Sequence, residues 1–156
     1  MPLSQPLYGA SIGQAVKRFW KKYATFSGRA SRSEFWWWFL VTYIIATVLA
    51  FVGQAVVGAQ PQPPVQSGTD YPTPDDFNQY FTAVLVWAFK ASIISYVWQL
   101  LTLVGLLALS TRRLHDTNRS GWWNLIYLIP VVGFIILVVF WASAPTPEGQ
   151  RYDVAA

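Results

Sequence analysis

The stretch FWWWFLVTYIIATVLAFVGQAVV, residues 35–57, decides the fold class of this chain. It carries no charged residue, and its length matches the roughly 20 apolar residues that an α-helix needs to cross the hydrocarbon core of a bilayer. Two further uncharged apolar stretches of similar length follow, at residues 91–110 and 122–143. The three stretches predict an all-α membrane protein with three transmembrane helices.

The composition supports lipid as the solvent for much of the surface. Only 12% of the residues are charged, whereas a soluble domain has about 25%. The length of 156 residues allows one membrane domain at 35–143, after a basic cytoplasmic and interfacial segment at 1–34 and before a tail at 144–156. The chain has no cysteine, which excludes disulfides, a thiolate nucleophile and cysteine-bound metals.

The middle region is apolar almost without interruption from residue 77 to residue 109. A lysine at the bilayer centre costs about 2.5 to 3.5 kcal/mol, so we place Lys90 at the outer interface and begin the second crossing at Ala91. Residues 77–90 then form an amphipathic helix on the outer surface, and one continuous tilted helix is the alternative. The proline-rich residues 58–76 form an exposed outer loop.

The segment before the first crossing is predicted to be a second interfacial helix. Residues 11–26 place apolar side chains on one helical face and most of the basic ones elsewhere, as in helices that rest on anionic lipid. Ser31 and Glu34 have the spacing of a capping box and predict the start of the first crossing helix. Pro130 and Gly133 predict a kink in the third helix.

The distribution of basic residues predicts the orientation. Positive residues near short loops accumulate on the cytoplasmic side of membrane proteins. Nine of the 11 lysines and arginines precede the first crossing or follow the second, whereas the opposite side is mostly acidic. Three crossings then place the amino terminus in the cytoplasm and the carboxyl terminus in the periplasm.

Two polar motifs stand at the cytoplasmic helix ends: FSGRASRSEFW at residues 26–36 and RRLHDTNRSGWW at residues 112–123. They resemble the signatures of the small bacterial inner-membrane proteins of domain-of-unknown-function family 805, and the similarity extends over roughly residues 16–152. The tail resembles the family's usual ending, except that Gln150 and Asp153 depart from it. The resemblance implies a multi-pass protein of the bacterial inner membrane and supplies no reaction or ligand.

The candidate functional residues come from these motifs. Arginines at headgroup depth can bind phosphate through two parallel hydrogen bonds. The leading interpretation is that carboxylates pair with neighbouring arginines and lock the loop between helices; an anionic lipid or phosphate site is the alternative. The candidate anion-binding residues are Arg29, Arg32, Arg112, Arg113 and Arg119, and the candidate pairing residues are Glu34, His115 and Asp116.

These features favour a structural or interaction component of the membrane rather than an enzyme. His115 and Asp116 are adjacent but need not face each other, and no nucleophile is placed by spacing, so a lipid-headgroup enzyme ranks last. Anionic-lipid binding or small-solute transport is the alternative function. With one histidine we expect no metal site and no cofactor. The expected partners are membrane lipids, anionic ones above all, and a second copy or another membrane protein, but no nucleic acid.

Overall fold

All regular structure among the described residues is helical, which confirms the all-α prediction. The computed structural model describes residues 5–65 and 71–153. Two of its helices are long and apolar enough to cross a membrane. The helices are α1 (Ile12–Lys21), α2 (Arg32–Val57), α3 (Pro74–Asp116) and α4 (Val132–Ala142), with 3₁₀ segments at Gly121–Leu128 and Pro147–Tyr152.

Helix α3 is continuous over 43 residues, so the predicted separation of residues 77–90 from the second crossing is wrong. It begins where Thr73 and Asp76 cap each other: the Asp76 carboxylate accepts from the Thr73 amide at 2.8 Å, and the Thr73 hydroxyl accepts from the Asp76 amide at 3.3 Å. No glycine or proline occurs from residue 75 to residue 104 to interrupt the helix. At 1.5 Å per residue α3 is roughly 65 Å long, about twice the hydrocarbon thickness.

The third apolar stretch is a hairpin, so the predicted single crossing helix at residues 122–143 is wrong. The 3₁₀ segment and α4 run antiparallel, with ring centroids 5.2 Å apart for Trp123 and Phe140 and 6.2 Å apart for Tyr127 and Phe134. A tight turn joins them, because Pro130 has no amide hydrogen to continue a helix and Val131 has a φ of +64°. The predicted kink is therefore a chain reversal.

The chain divides into two compact units, one of which is Ile44–Leu100. Within it α2 and α3 touch closely, since a side-chain carbon at Gly53 would overlap the carbonyl oxygen of Ala91. The Trp87 indole also donates to the carbonyl of Gly58 at 2.9 Å. These contacts hold the end of α2 against the middle of α3.

The other unit comprises the described residues of Met1–Tyr43 and Leu101–Ala156. Here α1 starts at a capping box between Ser11 and Gln14 and ends at Lys21, five residues earlier than expected. The ring of Phe19 stacks on Trp38 with centroids 3.5 Å apart, and the absence of a side chain at Gly105 lets that ring approach α3. Helix α1 is thus packed against protein on its buried face.

The carboxyl-terminal tail returns to the amino-terminal segment in the same unit. The Gly28 amide donates to the Tyr152 carbonyl at 3.1 Å, and the Thr146 amide donates to the Asp116 carbonyl at 3.0 Å. Segments that are hydrogen-bonded to one another cannot lie on opposite sides of a membrane. The predicted placement of the amino and carboxyl termini on opposite sides of the membrane is therefore not confirmed.

Candidate functional site

Asp116, the last residue of α3, is the centre of a buried ionic cluster. Its side chain is fully buried, with one oxygen 2.5 Å from Arg113 Nη1. The other oxygen accepts a hydrogen bond from the Tyr8 hydroxyl at 2.9 Å and lies 3.5 Å from Arg29 Nη1. The carboxylate thereby joins three segments that are distant in sequence.

Arg29 connects the same cluster to the tail. Its Nε and Nη2 donate to the two carboxylate oxygens of Asp153 at 2.8 and 2.6 Å, a bidentate pair. Those hydrogen bonds raise the pKa of Arg29 above its usual range. Burial and the hydrogen bond to Asp116 raise the pKa of Tyr8 to about 12. Asp153, one of the two tail residues that depart from the family ending, is therefore the one that holds Arg29.

Arg113 joins the end of the hairpin to the end of α3. Its Nε donates to the Trp141 carbonyl at 2.8 Å, and its Nη2 donates to the Ser143 carbonyl. Because α4 ends at Ala142, these bonds bring the end of the hairpin to the end of α3. Arg113 is fully buried and is occupied by internal partners.

His115 contacts a different set of groups from those around Asp116. Its Nδ1 lies 3.1 Å from the Gly28 carbonyl oxygen, and its ring stacks on Tyr152 with centroids 3.9 Å apart. Adjacent in sequence, His115 and Asp116 therefore face different partners. Among the described residues, no group of three or more His, Cys, Asp or Glu could hold a metal ion.

Glu34 is the centre of a second cluster, at the start of α2. One of its oxygens accepts from the Leu7 amide at 2.5 Å and lies 3.0 Å from Arg18 Nε. The Ser31 hydroxyl accepts from the Glu34 amide at 3.2 Å, as in a capping box. The Glu34 carboxylate, however, binds Leu7 and Arg18, so only half of the predicted box forms.

Two cations of this second cluster have incomplete hydrogen bonding. Lys22 is 3% exposed and Arg112 is 1% exposed. Arg112 Nε donates to the Ala108 carbonyl at 3.1 Å, but its Nη2 and the Lys22 Nζ have no hydrogen-bond partner among the described residues. Burial lowers the pKa of Lys22 to about 8, helped by the charge on Arg112 and opposed by Glu34.

The five predicted anion-binding arginines are in different environments. Arg29 and Arg113 are engaged with carboxylates, and Arg112 lies in the second cluster. Arg32 is exposed at the first residue of α2. The Arg119 guanidinium lies 4.1 Å from the centre of the Phe140 ring and donates to the Thr117 carbonyl at 3.3 Å.

Sequence reasoning missed Lys22, Arg18, Tyr8 and Asp153 as members of these clusters. The sequence does contain a signal for the burial of Arg18 and Lys22. Together with Ala15 and Phe19 they have the three- and four-residue spacing of a single helical face. All four are buried. Tyr8 and Asp153 carry no local signal, because their partners lie more than 100 residues away.

Comparisons with known proteins agree on the family. The model of the family described as "Protein of unknown function (DUF805)" matches residues 23–154. Inner membrane protein YhaI of Escherichia coli K12 is 30% identical over 132 residues, which cover 85% of this chain and 86% of the relative. Inner membrane protein YhaH of the same organism is 32% identical and covers 85% and 87%. No solved structure matches this chain.

Proposed function

Because this chain belongs to the DUF805 family of proteins of unknown function, we propose that it is a two-span inner-membrane protein with both termini in the cytoplasm. In this proposal it is a non-catalytic structural or interaction component. Its partners are inner-leaflet lipids and either a second copy or another membrane protein.

The observation that carries this proposal is the buried network around Asp116. The network joins the amino-terminal segment through Tyr8 and Arg29, the hairpin through Arg113, and the tail through Asp153. The polar side chains of this network, which could otherwise perform chemistry, are occupied in holding these segments together. Such an arrangement favours a structural role for the cytoplasmic part of the protein over a catalytic one.

The proposed topology follows from helix length and charge. Helices α2 and α3 each exceed the 20 residues needed for a crossing, whereas α4 has 11 and reaches only about half of the hydrocarbon core. The hairpin therefore enters the membrane from the cytoplasmic side and returns. With both termini inside, ten of the 11 basic residues are cytoplasmic and only Lys90 is not, which satisfies the positive-inside rule better than three crossings do.

The arrangement around His115 argues against its use as a general base. Its ring is stacked on Tyr152, and Nδ1 lies beside a backbone carbonyl rather than a carboxylate. A His–Asp pair that activates a nucleophile requires the carboxylate to face the ring. Asp116 instead faces Arg113, Arg29 and Tyr8.

A lipid-turnover assay tests the non-catalytic role. Full-length protein and a His115→Ala variant are reconstituted in vesicles of phosphatidylethanolamine and phosphatidylglycerol, and the lipids are followed by mass spectrometry. We expect lipid composition to match that of empty vesicles for both proteins. Conversion of lipid by the wild type that is abolished in His115→Ala would overturn the proposal.

A further inference from the structure

Lys22 and Arg112 combine burial with unsatisfied donors. Charged side chains are rarely buried without a partner, since removing an ion from water costs several kcal/mol unless hydrogen bonds or an opposite charge compensate it. Lys22 Nζ and Arg112 Nη2 have no partner among the described residues, although both side chains are at least nine-tenths buried. These atoms are donors without an acceptor.

The charges around these atoms are predominantly positive, which favours the binding of an anion. The charges of Arg112, Arg18 and Glu34 act on Lys22, and those of Glu34 and Arg18 act on Arg112. Glu34 is already held by Arg18 and the Leu7 amide. Asp153 also acts on Lys22, but both of its oxygens are bound by Arg29. The second cluster thus has more positive than negative charge in a place shielded from water.

The buried arginines of the Asp116 cluster, by contrast, are paired with carboxylates. There, Arg29 and Arg113 are matched by Asp116 and Asp153, and each of their ion pairs is made at or below 3.5 Å. Arg29 and Arg113 therefore stabilise the fold through ion pairs, whereas Lys22 and Arg112 each have a donor that can still bind an anion.

We propose that Lys22 and Arg112 form a binding site for a phosphate group, either free or in the headgroup of an anionic lipid. Arg112 supplies its Nη2 to one phosphate oxygen while its Nε remains fixed to Ala108. Lys22 supplies a point charge on a flexible four-carbon stem, which lets Nζ turn towards the anion. Glu34 and Arg18 are positioning residues that hold α1 beside the start of α2.

This inference goes beyond the proposed structural role and does not depend on the membrane topology. The site is composed of residues of one compact unit, so it can bind inorganic phosphate in detergent solution whichever side of the membrane it occupies. The topology matters only for the lipid source of the phosphate, which would be the leaflet that contains the termini.

The test compares Lys22→Met and Arg112→Met with Lys21→Met in full-length detergent-solubilised protein. The neighbouring Lys21 has the same charge but is exposed, so it is a matched control. Thermal unfolding is measured in inorganic phosphate against chloride of equal ionic strength. Retention of phosphatidylglycerol against phosphatidylcholine is measured by native mass spectrometry. Because phosphate also stabilises proteins nonspecifically, the readout is the difference between each variant and wild type.

We expect Lys22→Met and Arg112→Met each to weaken anion binding about tenfold, as for the loss of a charge-assisted hydrogen bond, and Lys21→Met to bind like wild type. Lys22→Met should also raise the melting temperature without phosphate, because an unpaired buried charge is removed. A phosphate response without lipid selectivity would identify free phosphate, and lipid selectivity without a phosphate response would identify the headgroup. Equal behaviour of wild type and both site variants in both assays would overturn this proposal without affecting the proposed topology.

Discussion

Asp116 is a buried carboxylate that satisfies two guanidinium groups and a phenol. Its side chain is fully buried, and its partners Arg113, Arg29 and Tyr8 come from α3 and from the segment that precedes α2. Removal of one member of a buried ion pair leaves the other charge uncompensated, which is far more costly than the net value of the pair. The stability of the compact unit that contains Asp116 should therefore depend strongly on this residue.

Replacement of Asp116 by Asn should lower the free energy of unfolding by about 3 to 5 kcal/mol. The amide keeps the shape of the side chain but removes the charge that Arg113 and Arg29 require. Denaturant unfolding in detergent, followed by tryptophan fluorescence, measures the change. Glu148→Gln, an exposed acidic residue of the tail, is the control and should leave stability within about 0.5 kcal/mol. Equal effects of the two substitutions would contradict the structural role of Asp116.

The lowered pKa of Lys22 predicts that the stability of the protein depends on pH. Its pKa is about 8 in the folded protein and 10.5 ordinarily, because burial disfavours the charged form; Arg112, Arg18, Glu34 and Asp153 also act on it. Between these values the unfolded chain binds more protons than the folded one, so stability should rise with pH. Above pH 10 the raised pKa of Tyr8 acts in the opposite sense.

Melting temperatures of phosphate-free protein between pH 7.5 and pH 10 measure this effect. We expect the wild type to gain a few degrees relative to Lys22→Met over that range. Parallel curves for the two proteins would show that Lys22 is not a buried titrating group.

At this scale the sequence predicts which residues are polar and near a helix end, but not their partners. The pairing hypothesis for Glu34 and Asp116 identified the acidic residues, and their carboxylates contact Arg18 and Arg113 respectively. Arg18 is 16 residues from Glu34 along the chain, and nothing local links the two. The composition of α1 predicts that its basic residues lie on lipid, whereas Phe19, Arg18 and Lys22 are buried within the protein.

Among the secondary-structure elements, the hairpin of the 3₁₀ segment and α4 has the most unusual backbone. Val131 has φ +64° and ψ −65°, and the Val132 amide donates to the Pro130 carbonyl at 2.7 Å, which closes a γ-turn. A β-branched residue in this region is strained by about 1 to 3 kcal/mol. The reversal is held by its packing, since Gly133 lies against the carbonyl of Ile126.

Val131→Gly should raise the melting temperature by about 2 to 4 °C, because glycine adopts a positive φ without steric cost. Val139→Gly is the matched control, since Val139 is likewise exposed but lies within α4, where glycine is unfavourable. It should lower the melting temperature slightly. If Val131→Gly destabilises the protein as much as Val139→Gly does, the tight turn at residues 130–132 is incorrect.

Hydropathy predicts that a segment prefers lipid but not whether its backbone continues. Residues 91–110 and 122–143 are both uncharged and similarly long, yet the first is part of one helix and the second reverses direction. Pro130 predicts an interruption of the helix. A kink is the smallest such interruption, whereas the structure has a full reversal of the chain. The cost of one charge predicts that the second crossing begins at Ala91, after Lys90, although α3 continues through both residues without a break.

For the whole molecule, the hairpin is the basis of the proposed topology. A third crossing would separate the tail from the amino-terminal segment, whereas the hairpin leaves Asp153 free to bind Arg29 and Tyr152 free to stack on His115. We therefore propose that the chain crosses the membrane twice and that both termini share the cytoplasmic side.

Cysteine labelling tests this claim most directly, because the chain has no native cysteine. Single cysteines replace Ser27, Gln62 or Glu148, which are all exposed, and a membrane-impermeant maleimide is applied to spheroplasts and to inverted inner-membrane vesicles. We predict that the cysteines at residues 27 and 148 are labelled only in inverted vesicles and the cysteine at residue 62 only in spheroplasts. Labelling of positions 62 and 148 from the same side, opposite to position 27, would contradict the two-span account.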